Sequence, residues 1–300
     1  MTTRFGLLGT GNWATTLHGP GLVAHPDTEL VGVWGRDPTR TKLAAEILGT
    51  SAFDNVAGLL RAVDAVAVAL PPDVQADLAV QAAEADCHLL LDKPLALDVG
   101  AAARVVDAVE SAGVAAVVFF TLLFRPDLEP WFEQVRGGGW STATVTILAS
   151  AFAPGSERSD SPWRKEHGAL WDIGPHALSA VIPGLGPVTE VSAVSGLGDL
   201  VHLTFKHESG ATSVASASLT VPPEARHHST TYFGAGGVLP MPPSPGSAPA
   251  YGRAIDDLLL MVASGRRQHP CDVRFGRDVV RILEAAEQAR RQPPEPVKLS

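Results

Sequence analysis

The chain has little cysteine. Cys87 and Cys271 are the only two in 300 residues, far apart and in no Cys-x-x-Cys arrangement. That excludes a disulfide framework and a cysteine-rich zinc site, and no metal is expected. A surplus of basic charge is missing as well. Lys and Arg number 23 against 32 Asp and Glu, a net charge of -9. Such a surface is not built to neutralise phosphates along a nucleic acid, so no nucleic-acid partner is expected. Long apolar runs are also absent. The longest, near residues 114–124, falls short of the roughly 18 residues a membrane span needs, so no membrane partner is expected. The apolar stretch at the N-terminus is too short for a signal sequence and leads straight into a glycine motif. The protein therefore reads as cytoplasmic. What is present is ordinary for a globular chain: 45% hydrophobic and 18% charged residues, over a length that supports two cores.

The first 120 residues alternate between short apolar runs and helical patterns. Strands are predicted at 5–8, 29–34, 64–70, 88–91 and 114–120. Helices are predicted at 12–24 (interrupted near Gly19-Pro20), 38–48, 74–85 and 99–112. Strands this apolar are buried on both faces, and helices of this length make right-handed crossovers. The expected fold is α/β, a doubly wound parallel Rossmann sheet. Beyond Phe120 the pattern changes. A short helix at 127–135 ends at Gly137-Gly138-Gly139. β-like runs follow at 142–150, 191–195, 200–206, 212–219 and 230–233, with one helix at 169–182 between the first two. Strands in succession suggest an α+β domain with an open, mostly antiparallel sheet. Residues 238–249 read as a surface loop and 272–291 as a charged amphipathic helix. The expected division is a dinucleotide-binding domain, 1–120, and a substrate-binding and oligomerisation domain, 121–300.

Gly9-Thr10-Gly11-Asn12-Trp13-Ala14 fits G-x-G-x-x-[GA]. The first glycine allows a tight turn, the second lets a pyrophosphate approach the backbone, and the small Ala14 permits close helix–strand packing. Many turns match such a motif by chance. Here it follows a predicted strand and opens a predicted helix, whose N-terminus favours phosphate. An acid at the end of the second strand would select NAD through the ribose hydroxyls. This chain instead reads Trp34-Gly35-Arg36-Asp37. Gly35 is expected to leave space and Arg36 to pair with a 2′-phosphate, with Arg40 as a second cation. NADP is the expected cofactor, and NAD stays open, since Arg36 can equally stack on adenine.

Two further motifs carry chemistry. Asp92-Lys93-Pro94 ends a buried strand, where open α/β sheets place their ligands. A lysine there can polarise a carbonyl or carry a proton. Taken alone, Lys93 would read as a surface lysine. Asp172 and His176 are four apart, so on a helix they share a face. Histidine is the usual proton donor near neutral pH. The bland alternative is an aspartate cap with a packed histidine.

The glycine turn, Asp92-Lys93-Pro94 and Asp172-Ile173-Gly174-Pro175-His176, in this order and spacing, resemble the Gfo/Idh/MocA family (glucose–fructose oxidoreductase, inositol dehydrogenase, rhizopine catabolism). Ala67-Val68-Ala69-Leu70-Pro71-Pro72 is similar to its third-strand cofactor contact, and Ser161-Pro162-Trp163-Arg164 and the last helix also fit. The resemblance spans nearly the whole chain. It implies hydride transfer between nicotinamide and a carbonyl or hydroxyl carbon of a small molecule such as a sugar, cyclitol or diol. Lys93 and His176 would act as acid/base and Asp172 would assist. Gly9, Gly11, Asn12, Trp13, Gly35, Arg36, Arg40, Leu70, Pro71, Asp92, Lys93, Trp163 and Arg164 would border the cofactor, and the site would lie in a cleft between the domains. A homodimer or homotetramer through the C-terminal sheet is implied as well.

The chain departs from the family pattern in three places. Asp92 stands where the family usually has Glu. Gln75 stands near the place of a family histidine. Thr121 and Leu123 replace the polar pair of an Asn-x-Arg segment before Arg125, which makes that side of the pocket more apolar and favours a substrate with fewer hydroxyls than a sugar. Two alternatives to net redox remain. One is a lyase or hydrolase with tightly held NAD; the other is a non-catalytic cofactor-binding sensor, a role the same fold can host.

Overall fold

The computed structural model describes residues 2–153, 156, 161–243 and 246–292. The chain forms two compact units, residues 1–126 with 245–280, and residues 127–244 with 281–300.

The first unit is built on a six-stranded sheet. Its strands are β1 (Thr3–Leu8), β2 (Thr28–Trp34), β3 (Ser51–Ala52), β4 (Ala65–Val68), β5 (His88–Asp92) and β6 (Ala116–Phe119). They lie in the order β3-β2-β1-β4-β5-β6, every pair parallel. All four residues of β4 and of β6 are buried, as expected for strands covered on both faces. The strand order reverses between β1 and β4, and ligands of such sheets bind at the carboxyl ends there. The chain leaves those ends at Gly9, at Ala69 and, one strand over, at Lys93.

Local sequence explains the crossovers. Helix α2 (Pro38–Leu48) starts on Asp37, whose carboxylate accepts from the amides of Thr39 and Arg40, and stops at Gly49 in the left-handed conformation. Helix α3 (Val56–Leu60) is short. Helix α4 (Pro72–Glu84) begins at the Pro-Pro pair. Helix α5 (Val99–Ala112) is capped by Asp98 and ends at Gly113. These are the stop and start residues that satisfy orphan helix-end groups.

The first helical stretch differs from expectation. It is continuous from Asn12, but residues Ala14–His18 form a π turn before α1 (Gly19–Ala24). The irregularity therefore precedes Gly19-Pro20. The amide of Gly19 reaches back to the carbonyl of Ala14, which puts one extra residue in the turn. β3 and α3 were not anticipated. Residues 238–249, read as a loop, hold part of a strand and the start of helix α8 (Ala248–Ser264). That helix buries Tyr251, Ile255, Leu258 and Met261 and packs against β5 and β6 of the parallel sheet.

In the second unit, helix α6 (Glu129–Arg136) precedes β7 (Trp140–Leu148), helix α7 (Pro162–Leu185), β8 (Val188–Ser195), β9 (Val201–His207), β10 (Thr212–Ser218), β11 (His227–Gly234) and β12 (Gly237–Pro240). The sheet order is β12-β11-β7-β10-β9-β8. Only β7 and β10 pair in parallel. β9 alternates strictly, burying Val201, Leu203, Phe205 and His207, so one face carries the core. Helix α7 packs on β7 and β10. Across the opposite face Ser192, Thr204, Val214 and Thr144 lie side by side and exposed. Helix α9 (Val273–Arg291) is the last described element, with residues 273–280 counted in the first unit and the rest in the second.

Candidate functional site

The two glycines of the β1 turn serve different ends. Gly9 has φ +133, and a Cβ there would stand 2.4 Å from the carbonyl oxygen of Ala69. Packing against the loop after β4 therefore demands glycine. At Gly11 a Cβ would meet nothing within 4 Å. No neighbour requires a glycine at that position, so the open space beside its backbone suits a group that arrives from outside. The following helix has first-turn amides with no intrahelical partner, facing the carboxyl ends of the strands. These features fit a dinucleotide pyrophosphate. Ala14 is fully buried against the sheet. Asn12 is exposed and its carbonyl accepts from the Thr16 hydroxyl, while Trp13 is half-buried. Leu70 and Pro71, also half-buried, form the neighbouring turn.

Beyond β2, Arg36 and Arg40 are exposed. A cavity of about 200 Å³ is lined by Trp34, Gly35, Arg36, Lys42, Phe53 and Asp54 among others. Gly35 lines this cavity and also packs tightly against its neighbours. A Cβ there would come within 2.6 Å of the Thr10 side chain and 3.2 Å of the Thr41 hydroxyl, so its smallness serves the close contact with the glycine turn. Arg40 donates to the carbonyl of Thr10 at 3.5 Å. The sequence reading passed over Lys42, one turn into α2, which adds a second cation to the cavity wall.

Lys93 follows the end of β5, and the Lys93–Pro94 peptide is cis. The turn is clamped by Gln75, which is fully buried in α4. Its amide NH2 donates to the carbonyls of Asp92 (2.7 Å), Pro94 (3.1 Å) and Leu95 (3.3 Å), and its Oε1 accepts from the Asp92 amide (2.8 Å). One side chain thus satisfies four backbone groups of an irregular segment. The signal available in the sequence was a glutamine among the apolar positions of α4. Asp92 Oδ1 accepts from the Lys93 amide at 2.8 Å. Its Oδ2 lies 3.9 Å from Nε2 of His18.

The remaining candidates belong to the second unit. Helix α7 is longer than the predicted 169–182 and is broken at Gly168 (φ +64). The short first part holds Trp163 and Arg164, and the second part holds Asp172 and His176. Asp172 is 4% exposed. Across the break, Arg164 Nε donates to its Oδ2 at 3.0 Å, while Nη1 of the same arginine donates to the Ser161 hydroxyl at 3.1 Å. The guanidinium also lies 4.5 Å from the centre of the Trp163 ring, a cation–π distance. Arg164, Trp163 and Asp172 therefore form one cluster. His176 sits one turn further along the same helix, partly exposed, on the face shared by positions four apart. Among the described residues no group of three or more His, Cys, Asp or Glu is arranged to hold a metal ion. No described helix is long and apolar enough to cross a membrane.

A parallel sheet of this strand order with a glycine turn at its switch point defines a dinucleotide-binding Rossmann protein. The chain belongs to the Gfo/Idh/MocA family. Residues 3–120 match the family described as "Oxidoreductase family, NAD-binding Rossmann fold" and residues 142–239 match "GFO/IDH/MocA C-terminal domain". A D-xylose 1-dehydrogenase (NADP(+)) of Haloferax volcanii is 29% identical over 73% of this chain and 70% of its own length. A dTDP-3,4-didehydro-2,6-dideoxy-alpha-D-glucose 3-reductase of Streptomyces antibioticus is 31% identical over 61% of this chain, and the match spans 57% of that relative. Among solved structures, GenD2 from gentamicin A biosynthesis, in complex with NAD, superposes with a TM-score of 0.85 at 21% identity, covering 98% of this chain and 95% of that one. The chain is an NAD(P)-dependent oxidoreductase by family and fold.

Proposed function

We propose that the protein transfers hydride between a nicotinamide cofactor, NADP by preference, and a carbonyl or hydroxyl carbon of a small molecule bearing few hydroxyls. Lys93 and His176 handle the proton. The observation that carries the cofactor is Gly11, whose glycine no protein neighbour demands. Gly9, Asn12, Trp13, Leu70 and Pro71 would border the same dinucleotide. The preference for NADP is supported by Arg36 and Lys42 at the wall of the cavity after β2, and by the NADP named for the Haloferax relative.

When bound, the nicotinamide supplies the hydride donor or acceptor. The chain's own residues supply the rest. In the oxidising direction a base takes the substrate hydroxyl proton, and in the reducing direction an acid returns it to the oxygen. The grip of Gln75 on the turn around it and of Asp92 on its amide supports this role for Lys93. His176 is the second proton carrier. Asp172, held by Arg164, orients the substrate or the histidine, and Trp163 and Arg164 would face the cofactor or the pocket mouth. Thr121 and Leu123, both half-buried, would line a less polar side of the pocket. That, with the dideoxy sugar named for the Streptomyces relative, favours a deoxygenated keto sugar or a diol over a fully hydroxylated sugar. Residues 1–120 serve the cofactor and 121–300 the substrate and self-association. The exposed Ser/Thr/Val face of the second sheet would form the contact of a homodimer or homotetramer.

The test is direct. NADPH added to the protein should quench tryptophan fluorescence and raise the melting temperature, since a ligand that binds only the native state stabilises it. No response to NADPH or NADH would overturn the proposal. A panel of deoxy keto sugars, diols and pentoses should then reveal turnover. Lys93→Ala should abolish that turnover while cofactor affinity stays near normal, and retained turnover would remove Lys93 from the chemistry.

A further inference from the structure

The first unit contains a second group of polar side chains, behind the Asp92–Lys93 turn, that the proposed chemistry does not use. The π turn Ala14–His18 carries the His18 ring into the interior, where it is 0% exposed. Its walls are aromatic. The Tyr251 ring from α8 lies 4.5 Å away between centroids, Phe119 meets it edge-on at 6.2 Å and Trp13 at 6.3 Å. Neither ring nitrogen of His18 has a hydrogen-bond partner, and neither does the buried Tyr251 hydroxyl. Buried polar atoms without partners are costly, and apolar residues of the same shape would fill this space more cheaply. His18 Nε2 faces Asp92, whose Oδ2 stands 3.9 Å away.

The protonation states follow from burial. Burial pushes the His18 imidazolium down to a pKa of about 3, so the ring is neutral and carries one N–H. Burial, and then the Asp92 charge, hold the Tyr251 hydroxyl protonated. A neutral imidazole facing a carboxylate with Nε2 has one favourable tautomer, the one with the proton on Nε2. The opposite tautomer would set a lone pair against an anion. The other oxygen of the same carboxylate accepts the Lys93 amide, so whatever orients Asp92 also orients the start of the Lys93 turn.

We propose that His18, as its Nε2–H tautomer and backed by Tyr251, is a positioning residue that holds the Asp92 carboxylate and through it sets the place of Lys93. The inference rests on Lys93 as the proton-handling group, but its test needs neither substrate nor turnover.

The chain has five lysines, Lys42, Lys93, Lys165, Lys206 and Lys298, few enough to resolve by NMR after 13C reductive methylation of the full-length protein. His18→Leu should shift or broaden the Lys93 signal and leave Lys42, in the same unit, unmoved. His18→Gln, which restores a terminal N–H donor, should return Lys93 toward its original position. In 15N-histidine spectra His18 should show the neutral Nε2–H pattern from pH 5 to 8, and Asp92→Asn should shift it. A Lys93 signal indifferent to His18→Leu overturns the proposal, and so does an Nδ1–H tautomer indifferent to Asp92→Asn. Should His18→Leu fail to fold, Tyr251→Phe removes a single oxygen and should move both the His18 and Lys93 signals. No movement of either counts against the proposal. A protein that ignores NADPH but shows these shifts loses the proposed function alone; one that binds NADPH without them loses this inference alone.

Discussion

Lowering the pH from 7 to 5 should weaken the first unit by about 2 kcal/mol through His18 alone, at about 1.36 kcal/mol for each pH unit over which the two states differ by a proton. In the unfolded chain His18 takes up its proton near 6.5, whereas in the fold burial delays this to about 3. Its contribution to stability is therefore intact above pH 6.5 and is lost progressively as the pH falls toward 3. Between 6.5 and 5 the difference accumulates over about 1.5 units, which gives the estimate. His18→Leu removes the titrating group and should lose about 2 kcal/mol less than the parent over the same interval. At pH 7 it should be at least as stable, because it replaces two unpartnered buried nitrogens by apolar surface. Amide hydrogen exchange in β1 and β4 reads the opening of this unit, with parent and variant compared at each pH so that other titrating groups cancel. Equal losses in the two proteins would refute the reasoning. A parent that gains stability relative to the variant would do so more sharply. It would mean that Asp92, 3.9 Å away, stabilises the imidazolium more than burial destabilises it.

Other substitutions probe the turns around the candidate site. Gly11→Val should leave the melting temperature near that of the parent and abolish NADPH-dependent fluorescence quenching. Gly9→Ala should instead unfold or strongly destabilise the protein, since its Cβ would stand 2.4 Å from a backbone oxygen; equal melting temperatures for the two variants would contradict the separation of roles. Gln75→Leu leaves one amide and three carbonyls of the Lys93 turn without their partner, and should cost about 3 kcal/mol in denaturant titration; a loss under about 0.5 kcal/mol would show that the clamp is dispensable. Arg36→Ala should weaken NADPH binding about tenfold, the effect of losing one exposed charge-assisted contact of about 1.4 kcal/mol, and should leave NADH affinity nearly unchanged. Equal effects on both cofactors would assign Arg36 to adenine stacking.

Much of the architecture is local and therefore legible in the chain. Strand-like runs with no polar face, capping residues such as Asp37 and Asp98, and a glycine pair between a strand and a helix each act within a few residues. Together they specified the parallel sheet and its dinucleotide turn. The short strand β3 and the helix α3 escaped because neither has enough residues to show a period. The π turn escaped because its one extra residue leaves no mark on the local pattern; the Gly19 that follows it sits where a Cβ would lie 2.5 Å from Leu48 of α2. Helix α8 was passed over because it lies behind a Pro/Gly/Ser-rich stretch; it packs against β5 and β6, which come far earlier in the chain.

For the site, sequence supplied the residue types and their order: Lys93 at a strand end, Asp172 and His176 four apart on a helix, Arg36 where an acid would select NAD. These are properties of spacing along the chain. Tertiary structure decided what each one touches. It showed that Gly35 packs closely on Thr10, that Arg164 reaches back across Gly168 to Asp172, and that Gln75 grips the Lys93 turn from another helix. It also brought His18 and Tyr251, 233 positions apart in the sequence, against one another beside Asp92. Such contacts join residues with no sequence proximity, and a hydrogen bond or steric contact is fixed only once the backbone has closed in three dimensions.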